Sequence, residues 1–351
     1  MPGMEYLETE AQQPHVQKQA DKKTRDHGFD NIRAILIICV VFGHMLEICP
    51  SFPGKQSLYQ VIYSFHMPVF IFLVGYFARY QINRILFSWI IPYVLFQTLY
   101  IAADQMIGMQ TPFQYATPYW HLWFLVACTF YQLLIPAYNT QSMPKQIFVL
   151  ICSTALALAV GFDRGVSQDM ALSRFFVFQP WFVLGYYSRG YIQQTAEKPQ
   201  RRRPLLRNGI ILGLVAACIA VICLRKFPNN AFYGSYPYEI SKSTVIDRGM
   251  IMAMGLVWIA FFMYIVKPLL KKKIPLLTTL GKNTFPVFLL HAAAIRYLPK
   301  LFPQAVRSFP AIILTALFVL LLCGNSLTGN IFRFLFSERL YQKIGKIICK
   351  K

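Results

Sequence analysis

Residues 30–47 form the feature that most constrains this chain, because they are a long apolar run that still carries Arg33, His44 and Glu47. A helix of this length crosses most of a lipid bilayer. Ionisable side chains at membrane depth cost about 2.5–3.5 kcal/mol each on insertion scales, and they usually face a bundle interior or a polar cavity. The run therefore predicts a first membrane helix with one functional face.

The spacing of these residues sharpens that prediction. Arg33 and His44 are 11 residues apart, which is three helical turns plus roughly 20°, so both lie on nearly the same face, about 16 Å apart along the axis. Asp30 lies one turn before Arg33, and Glu47 lies one turn after His44, so each carboxylate can reach its partner. The face predicts a cation near one membrane surface and a His–carboxylate pair most of the way across.

Composition supports a multi-pass membrane protein, since 56% of the 351 residues are hydrophobic and only 14% are charged. The net charge of +21 lies in loops and tails between apolar runs. This placement favours contact with anionic membrane lipids and argues against nucleic acid. The eight cysteines are scattered and form no Cys-x-x-Cys motif, so we predict neither a metal site nor a redox pair.

Apolar run lengths predict an all-α integral membrane protein, a bundle of about ten transmembrane helices. The predicted helices are 31–49, 59–78, 84–107, 120–138, 145–162, 172–190, 207–225, 246–266, 282–299 and 310–335. With Arg33 left aside, 24 Lys and Arg residues fall on one side of this arrangement and 10 on the other, which predicts that both termini are cytoplasmic. We predict a disordered cytoplasmic tail at 1–27, one transmembrane domain at 28–336 and a basic cytoplasmic tail at 337–351.

Three later segments accompany the first helix: SFHMPVFIFLVGYF at 64–77, WHLWFLVACTF at 120–130 and LGKNTFPVFLLH at 280–291. Together with the Arg and His separated by ten residues, they resemble the acyltransferase-3 family of bacterial integral membrane acyltransferases, over about residues 28–335. The short branch related to fucose 4-O-acetylase, which lacks an appended extracytoplasmic domain, is the most similar. The resemblance implies a plasma-membrane enzyme that moves an acetyl group from acetyl-CoA to a glycan hydroxyl.

Acyl transfer from a thioester to a hydroxyl requires a base for the hydroxyl proton and a site for the acyl carrier. Neutral histidine suits the first task. We therefore predict His44 as the general base or acyl relay, the role that the resemblance also implies, with Glu47 fixing its tautomer. Direct transfer and a covalent acyl-histidine both remain open, and the structural alternative is a buried histidine satisfied by a backbone carbonyl or a water.

Arg33 lies near the predicted cytoplasmic end of the first helix, where a guanidinium can bind the phosphates of acetyl-CoA. Arg79 and Arg84 flank the turn between the second and third helices, and the resemblance implies basic residues there. Their spacing leaves open which of the two matches the family position. The alternative is that Arg33 only caps its helix with Asp30 and that the other two only follow the positive-inside rule.

His66, Trp120, Trp123 and His291 are the predicted acceptor-binding residues. His66 belongs to the Phe-His-Met-Pro segment, and His291 to the late segment that also contains Asn283. The tryptophans could stack on a sugar. Interfacial anchoring explains the tryptophans equally simply, and each histidine could instead be a satisfied core residue.

We thus predict a membrane O-acyltransferase of the bacterial inner membrane, whose partners are acyl-CoA, membrane lipids and a glycan or lipid-linked sugar acceptor. One alternative is a transporter or flippase of a lipid-linked saccharide, since many helices, a basic inner face and intramembrane histidines fit it as well. Another is the same enzyme class with succinyl or a different acyl group. The sequence decides neither the acceptor nor the oligomeric state.

Overall fold

The computed structural model describes residues 26–196, 204–338, 340 and 341. Over this part of the chain the fold is helical and contains no β-strand, which confirms the all-α class. The predicted tail at 1–27 lies outside the described residues as far as residue 25. The predicted tail at 337–351 lies outside them at residue 339 and beyond residue 341.

Long helices follow one another along the chain. They are α1 (His27–Ile48), α2 (Lys55–Tyr76), α3 (Ile82–Met106), α4 (Trp123–Leu133), α5 (Met143–Phe162), α6 (Leu172–Ala196), α7 (Pro204–Arg225), α8 (Val245–Leu269), α9 (Pro275–Lys282), α10 (Thr284–Leu301), α11 (Phe309–Gly324) and α12 (Ser326–Leu335). Early in α3 the backbone widens into a π-helical turn at Leu86–Ile90. Short helical turns occur in the connections, including Ile135–Tyr138, Asn229–Tyr233 and Tyr238–Ser241.

Within the described residues, six helices are long and apolar enough to cross a membrane: α1, α2, α3, α5, α7 and α8. The pair α11 and α12, bent by 53°, makes a seventh if it is one span. With 11 residues, α4 is shorter than the roughly 20 that a crossing needs. A helix or helix pair lies at each of the ten predicted positions, but ten membrane crossings and cytoplasmic termini stay predictions.

The first helix lies in the middle of the bundle, where α2, α9, α10 and α11 pack around it. Its side chains Ile32, Leu36 and Met45 are 0% exposed. On α9, a Cβ added at Gly281 would lie 1.7 Å from the carbonyl oxygen of Asp30. Glycine is therefore required at this crossing, which explains the glycine of the late segment.

Asn31 anchors the beginning of α1 to a distant part of the chain. Its amide nitrogen donates to the carbonyl oxygens of Leu270, at 2.7 Å, and Lys272, at 2.9 Å. Its amide oxygen accepts from the hydroxyl of Thr278 at 2.8 Å. These bonds satisfy a polar side chain that is 0% exposed, and they fix the loop between α8 and α9 beside Arg33.

Asn283 has a comparable role at the break between α11 and α12. Its amide nitrogen donates to the carbonyl oxygens of Gly324, at 3.1 Å, and Asn325, at 3.0 Å. Carbonyl groups at the end of a helix lack hydrogen-bond donors within the helix. The Asn283 side chain supplies the missing donor where the chain bends. The late segment is therefore structural at Asn283, whose side chain links the junction of α9 and α10 to this bend.

Glycines also bring α2 and α6 together. A Cβ at Gly75 would lie 2.1 Å from the carbonyl oxygen of Phe182, and one at Gly185 would lie 2.1 Å from that of Phe72. Only residues without a Cβ allow two backbones to approach this closely. The resulting pair is one wall of the site described next.

Candidate active site

Two cavities meet at His44. We call them the Arg33 cavity, at the end of the bundle where α1 begins, and the Glu47 cavity, towards the end of α1. The Arg33 cavity has a volume of about 280 Å³, and its polar lining is Arg33, His44, Arg84, His121, Gln132, Thr284 and His291. The Glu47 cavity has a volume of about 400 Å³, and its polar and aromatic lining includes His44, Glu47, Tyr63, His66, Trp120, Trp123, Gln168, Arg174, Tyr233 and Tyr236. His44, Met67 and Trp123 line both.

Arg33 lies in the Arg33 cavity together with His44, as their helical phase predicted. Its guanidinium lies 3.4 Å from the Asp30 carboxylate and 4.5 Å from the centre of the Phe77 ring. The expected Arg33–Asp30 pair is thus present. The aromatic ring and the carboxylate orient the guanidinium while it still lines the cavity.

Arg84 and Arg79 are placed differently. Arg84 lines the Arg33 cavity at the first turn of α3, just before the π-helical turn. Arg79 is exposed and lies in the α2–α3 connection, and it lines neither cavity. Of the two arginines, the structure therefore places only Arg84 in the same cavity as Arg33 and His44.

His44 lies among aromatic rings from α2, from the turn before α4 and from α10. Its ring centre is 4.6 Å from that of Trp120, 5.3 Å from that of His291 and 6.0 Å from that of Tyr63. Its Nδ1 atom is buried and has no hydrogen-bond partner among the described residues. The ring is held by packing, and one nitrogen is left unsatisfied at the junction of the two cavities.

The expected hydrogen bond between Glu47 and His44 is not formed. Instead, Oε1 of Glu47 accepts from the hydroxyls of Tyr63, at 2.5 Å, and Tyr59, at 3.1 Å. Both tyrosines lie on α2, and each supplies an O–H donor that a carboxylate binds strongly. Glu47 therefore lines the Glu47 cavity beside His44 without fixing its tautomer, and we correct that prediction.

His291 and His121 complete a cluster with His44. The ring centres of His121 and His291 are 5.2 Å apart. Nδ1 of His291 lies 2.7 Å from the carbonyl oxygen of Phe288, and a carbonyl only accepts, so Nδ1 carries the proton. Nε2 of a neutral His291 is then an acceptor, and it is buried without a partner among the described residues.

His66 lines the Glu47 cavity, and its Nδ1 atom, like that of His291, bonds to a backbone carbonyl of its own helix. Its Nδ1 lies 2.8 Å from the carbonyl oxygen of Ile62, one turn earlier in α2. This bond places the proton on Nδ1 and leaves Nε2 of the neutral ring as the acceptor. The ring packs edge-on against Tyr63, with centres 4.7 Å apart.

Trp120 and Trp123 are cavity walls. Trp120 lines the Glu47 cavity, whereas Trp123 lines both cavities. The guanidinium carbon of Arg174 lies 4.8 Å from the centre of the Trp123 ring. The structure thus brings together the predicted residues Arg33, Arg84, His44, Glu47, His66, Trp120, Trp123 and His291, and leaves Arg79 outside. His291 lines only the Arg33 cavity, apart from the other predicted acceptor-binding residues in the Glu47 cavity, and we correct its predicted grouping with them.

Two basic residues of the cavity linings, His121 and Arg174, were not among the predicted site residues. His121 is 3% exposed beside Tyr100, Phe288 and His291. Arg174 lies in the first turn of α6. The sequence signal for both was an ionisable residue at or inside an apolar segment, the same signal that pointed to His66 and His291, but we assigned neither residue a role.

The arrangement offers cations at one end, an unsatisfied imidazole in the middle and phenols, indoles and amides at the other end. Among the described residues, no group of three or more His, Cys, Asp or Glu is arranged to hold a metal ion. A neutral imidazole at such a junction can accept a proton from, or attack, a group delivered from either cavity.

Comparison with known proteins identifies the family. The model of the acyltransferase-3 family, described as an acyltransferase domain, matches residues 26–325. Nodulation protein NolL of Sinorhizobium fredii is 27% identical over 229 residues, which are 58% of this chain and 58% of that protein. The chain thus spans under two thirds of the length of this relative, and no solved structure matches. The match over most of the described chain confirms the resemblance drawn from the four segments: with several apolar helices of membrane length, this multi-pass membrane protein belongs to the acyltransferase-3 family.

Proposed function

We propose that the protein transfers an acetyl group from cytoplasmic acetyl-CoA to a hydroxyl of a cell-envelope or extracellular glycan. The observation that carries this proposal is the meeting of two chemically different cavities at His44. A transferase with a donor and an acceptor from opposite sides of a membrane needs such a junction. Family membership favours acyl transfer over the transporter alternative.

The Arg33 cavity suits the donor. Its walls are largely apolar, with side chains such as Ile37, Phe70 and Leu73, which fit an acyl-pantetheine arm. Arg33 and Arg84 supply guanidinium groups, which bind phosphate oxygens through paired N–H donors. The excess of Lys and Arg on this side of the predicted topology supports a cytoplasmic entrance.

The Glu47 cavity suits a sugar. Trp120 and Trp123 offer flat faces for stacking, and Gln168, Tyr233 and Tyr236 offer hydrogen-bonding groups. Nε2 of His66, the acceptor in the neutral tautomer, can receive a sugar hydroxyl hydrogen. Glu47 accepts through Oε1 from Tyr59 and Tyr63, so it acts in this proposal by positioning the tyrosine wall of the acceptor site.

The chemical step then centres on His44. In direct transfer, an imidazole nitrogen takes the proton of the acceptor hydroxyl as its oxygen attacks the thioester carbonyl. The C–O bond forms, the C–S bond breaks, and the proton passes to the departing thiolate to give CoA. In the relay form, one nitrogen of the neutral His44 ring attacks the thioester carbonyl, and the proton on its other nitrogen passes to the departing thiolate to give CoA. The glycan hydroxyl then attacks the acyl-imidazole, the C–N bond breaks, and the hydroxyl proton returns to the imidazole. Both forms balance, and both also accommodate succinyl in place of acetyl.

The bacterial plasma membrane is the proposed location, with both termini cytoplasmic. Acetyl-CoA is then available at the Arg33 cavity, and an envelope glycan at the Glu47 cavity. The apolar helices of membrane length and the Lys and Arg bias support this orientation.

The test uses inside-out membrane vesicles and acetyl-labelled acetyl-CoA, with label followed into lipid-linked and polymeric glycan. Wild type transfers label, whereas His44→Ala at matched expression loses at least about 100-fold, the lower end of what a positioned base contributes. His27→Ala is the matched control, because His27 lies on the same helix outside both cavities. Transfer that survives His44→Ala contradicts the proposal, and label that enters only from succinyl-CoA changes the donor.

A further inference from the structure

Arg174 presents a cation to the Glu47 cavity without a carboxylate partner. Its described hydrogen bonds go to the carbonyl oxygens of Tyr233 and Trp120 and to the hydroxyl of Ser235. Among the described residues, no Asp or Glu oxygen lies within 4.0 Å of its guanidinium. A charge so placed at a cavity wall is well suited to bind an anion.

Other arginines of the same half of the molecule differ. Arg225 lies 2.7 Å from the carboxylate of Asp247, and Arg296 lies 3.2 Å from that of Asp104. Arg248 also has neutral partners, but it is 4% exposed and lines neither cavity. Arg174 therefore combines the two features that a ligand needs, a guanidinium without a carboxylate partner and access from the cavity.

The geometry of the Arg174 contacts leaves its outer nitrogens available. The bond from Nε to the Tyr233 carbonyl is 3.2 Å, whereas the two Nη contacts, to Trp120 and Ser235, are 3.5 and 3.4 Å. Bonds of an Nη nitrogen to a carboxylate or phosphate oxygen are shorter, at about 2.7–2.9 Å, and stronger. The Trp123 ring below the guanidinium fixes its plane, which prepares it for two parallel bonds to one anion.

The carboxylate that lines the Glu47 cavity does not pair with Arg174. Glu47 is the acidic residue among the described side chains that line the cavity, and its Oε1 is bonded by the hydroxyls of Tyr59 and Tyr63 on α2. It lies beyond ion-pair distance of Arg174. Charge across the cavity is therefore uneven, with the cation on the α6 wall and the carboxylate held on the α1–α2 wall.

We propose that the acceptor is an anionic saccharide, whose carboxylate or phosphate group binds Arg174 while a hydroxyl of the sugar reaches His44. This inference rests on the proposed function, which it deepens by naming the acceptor class. Trp120 connects the two points, since its ring lies 4.6 Å from that of His44 and its carbonyl accepts from Arg174. A sugar ring stacked beside Trp120 spans the distance between the anion site and the base.

The experiment is calorimetric titration of the purified full-length protein, without acetyl-CoA, so that it does not depend on transfer. The probes are methyl glucuronide, glucose 1-phosphate and neutral methyl glucoside. We expect at least one acidic probe to bind about tenfold or more tightly than the neutral one, since a hydrogen bond to a charged group contributes at least this factor. Whichever acidic probe binds tightly identifies the anion as carboxylate or phosphate.

Variants then test whether Arg174 causes the preference for acidic probes. Arg174→Gln abolishes it and Arg174→Lys reduces it, whereas Arg164→Gln keeps it. Arg164 is a suitable control, because its side chain is 76% exposed and pairs with Glu239 outside the cavity. The comparison of probes on wild type needs no variant, so misfolding of Arg174→Gln does not remove the test.

Three results would overturn the inference: equal binding of acidic and neutral probes, an acid preference that survives in folded Arg174→Gln, or displacement of the acidic sugar by CoA, which would make the site part of the donor pocket. The two proposals fail separately. Label transfer in vesicles without an acid preference removes only this inference. An acid preference without label transfer removes the proposed function and leaves an anionic-sugar binding site without an acceptor role.

Discussion

The Arg33 cavity and the Glu47 cavity share a wall but differ in chemistry. The first combines apolar surfaces with two arginines, and the second combines phenols, indoles, an amide, one carboxylate and one arginine. Only His44, Met67 and Trp123 belong to the described linings of both. In the proposed function, this difference corresponds to two unlike molecules that enter from opposite ends and meet at one imidazole, and variants in each cavity should therefore act on different substrates.

The largest effect beyond His44 itself is expected at His291, which lines the Arg33 cavity beside His44. His291→Gln should lower kcat by about 10- to 100-fold, at or below the range for a group that assists proton transfer, and leave the KM of both substrates nearly unchanged. The reason is that the unpartnered Nε2 of His291 lies in the ring next to His44. Steady-state kinetics with each substrate varied in turn checks this.

A change in the KM of acetyl-CoA alone, with kcat unchanged, would show that His291 serves donor binding and not the chemical step. Val287→Ala on the same helix is the control for packing, because Val287 is buried but lines neither cavity.

The Arg33 cavity offers a matched pair of cations. Arg84→Ala should raise the KM of acetyl-CoA by about tenfold, the worth of one charge-assisted bond to phosphate, because Arg84 lines the cavity. Arg79→Ala should change it by less than about threefold, as expected for an exposed charge. The acceptor KM should stay constant in both. Equal effects of the two substitutions would show that the donor extends over the surface, beyond the cavity.

The smallest expected effect tests the wall of the Glu47 cavity. Tyr59→Phe removes the hydroxyl that donates to Glu47 and that bonds the Tyr233 hydroxyl at 2.5 Å. The acceptor KM should rise by roughly three- to tenfold, in keeping with about 1 kcal/mol for a hydrogen bond, while the acetyl-CoA KM does not change. Tyr93→Phe, outside both cavities, is the control. A raised donor KM in Tyr59→Phe would contradict the separation of the two cavities.

Much of the fold was predictable from the sequence, because helices in lipid must satisfy their own backbone and so follow apolar run length. The phase of Arg33 and His44 was predictable for the same reason, since both lie on one regular helix. The length of an apolar run does not show whether its helix crosses the membrane. α4 is only 11 residues long, and the last run is divided into α11 and α12, which bend by 53°.

The contacts of the site were less predictable, because they depend on other helices. Glu47 was paired with His44 from spacing alone, but the phenols of Tyr59 and Tyr63 are stronger local donors, and only the packing of α2 on α1 reveals them. Likewise the choice between Arg79 and Arg84 depends on where α3 begins. Arg174 was counted among the outer charges of the topology, since nothing in its neighbours along the sequence indicates a cavity.

The bonds of Asn31 also have a consequence for biogenesis. The helix that inserts first cannot bury this amide until Leu270, Lys272 and Thr278 have been synthesised. The same holds for the backbone of Asp30, which packs against Gly281. The polar beginning of α1 is therefore satisfied only after more than two hundred further residues have been synthesised, so the junction of the two cavities is completed late in assembly.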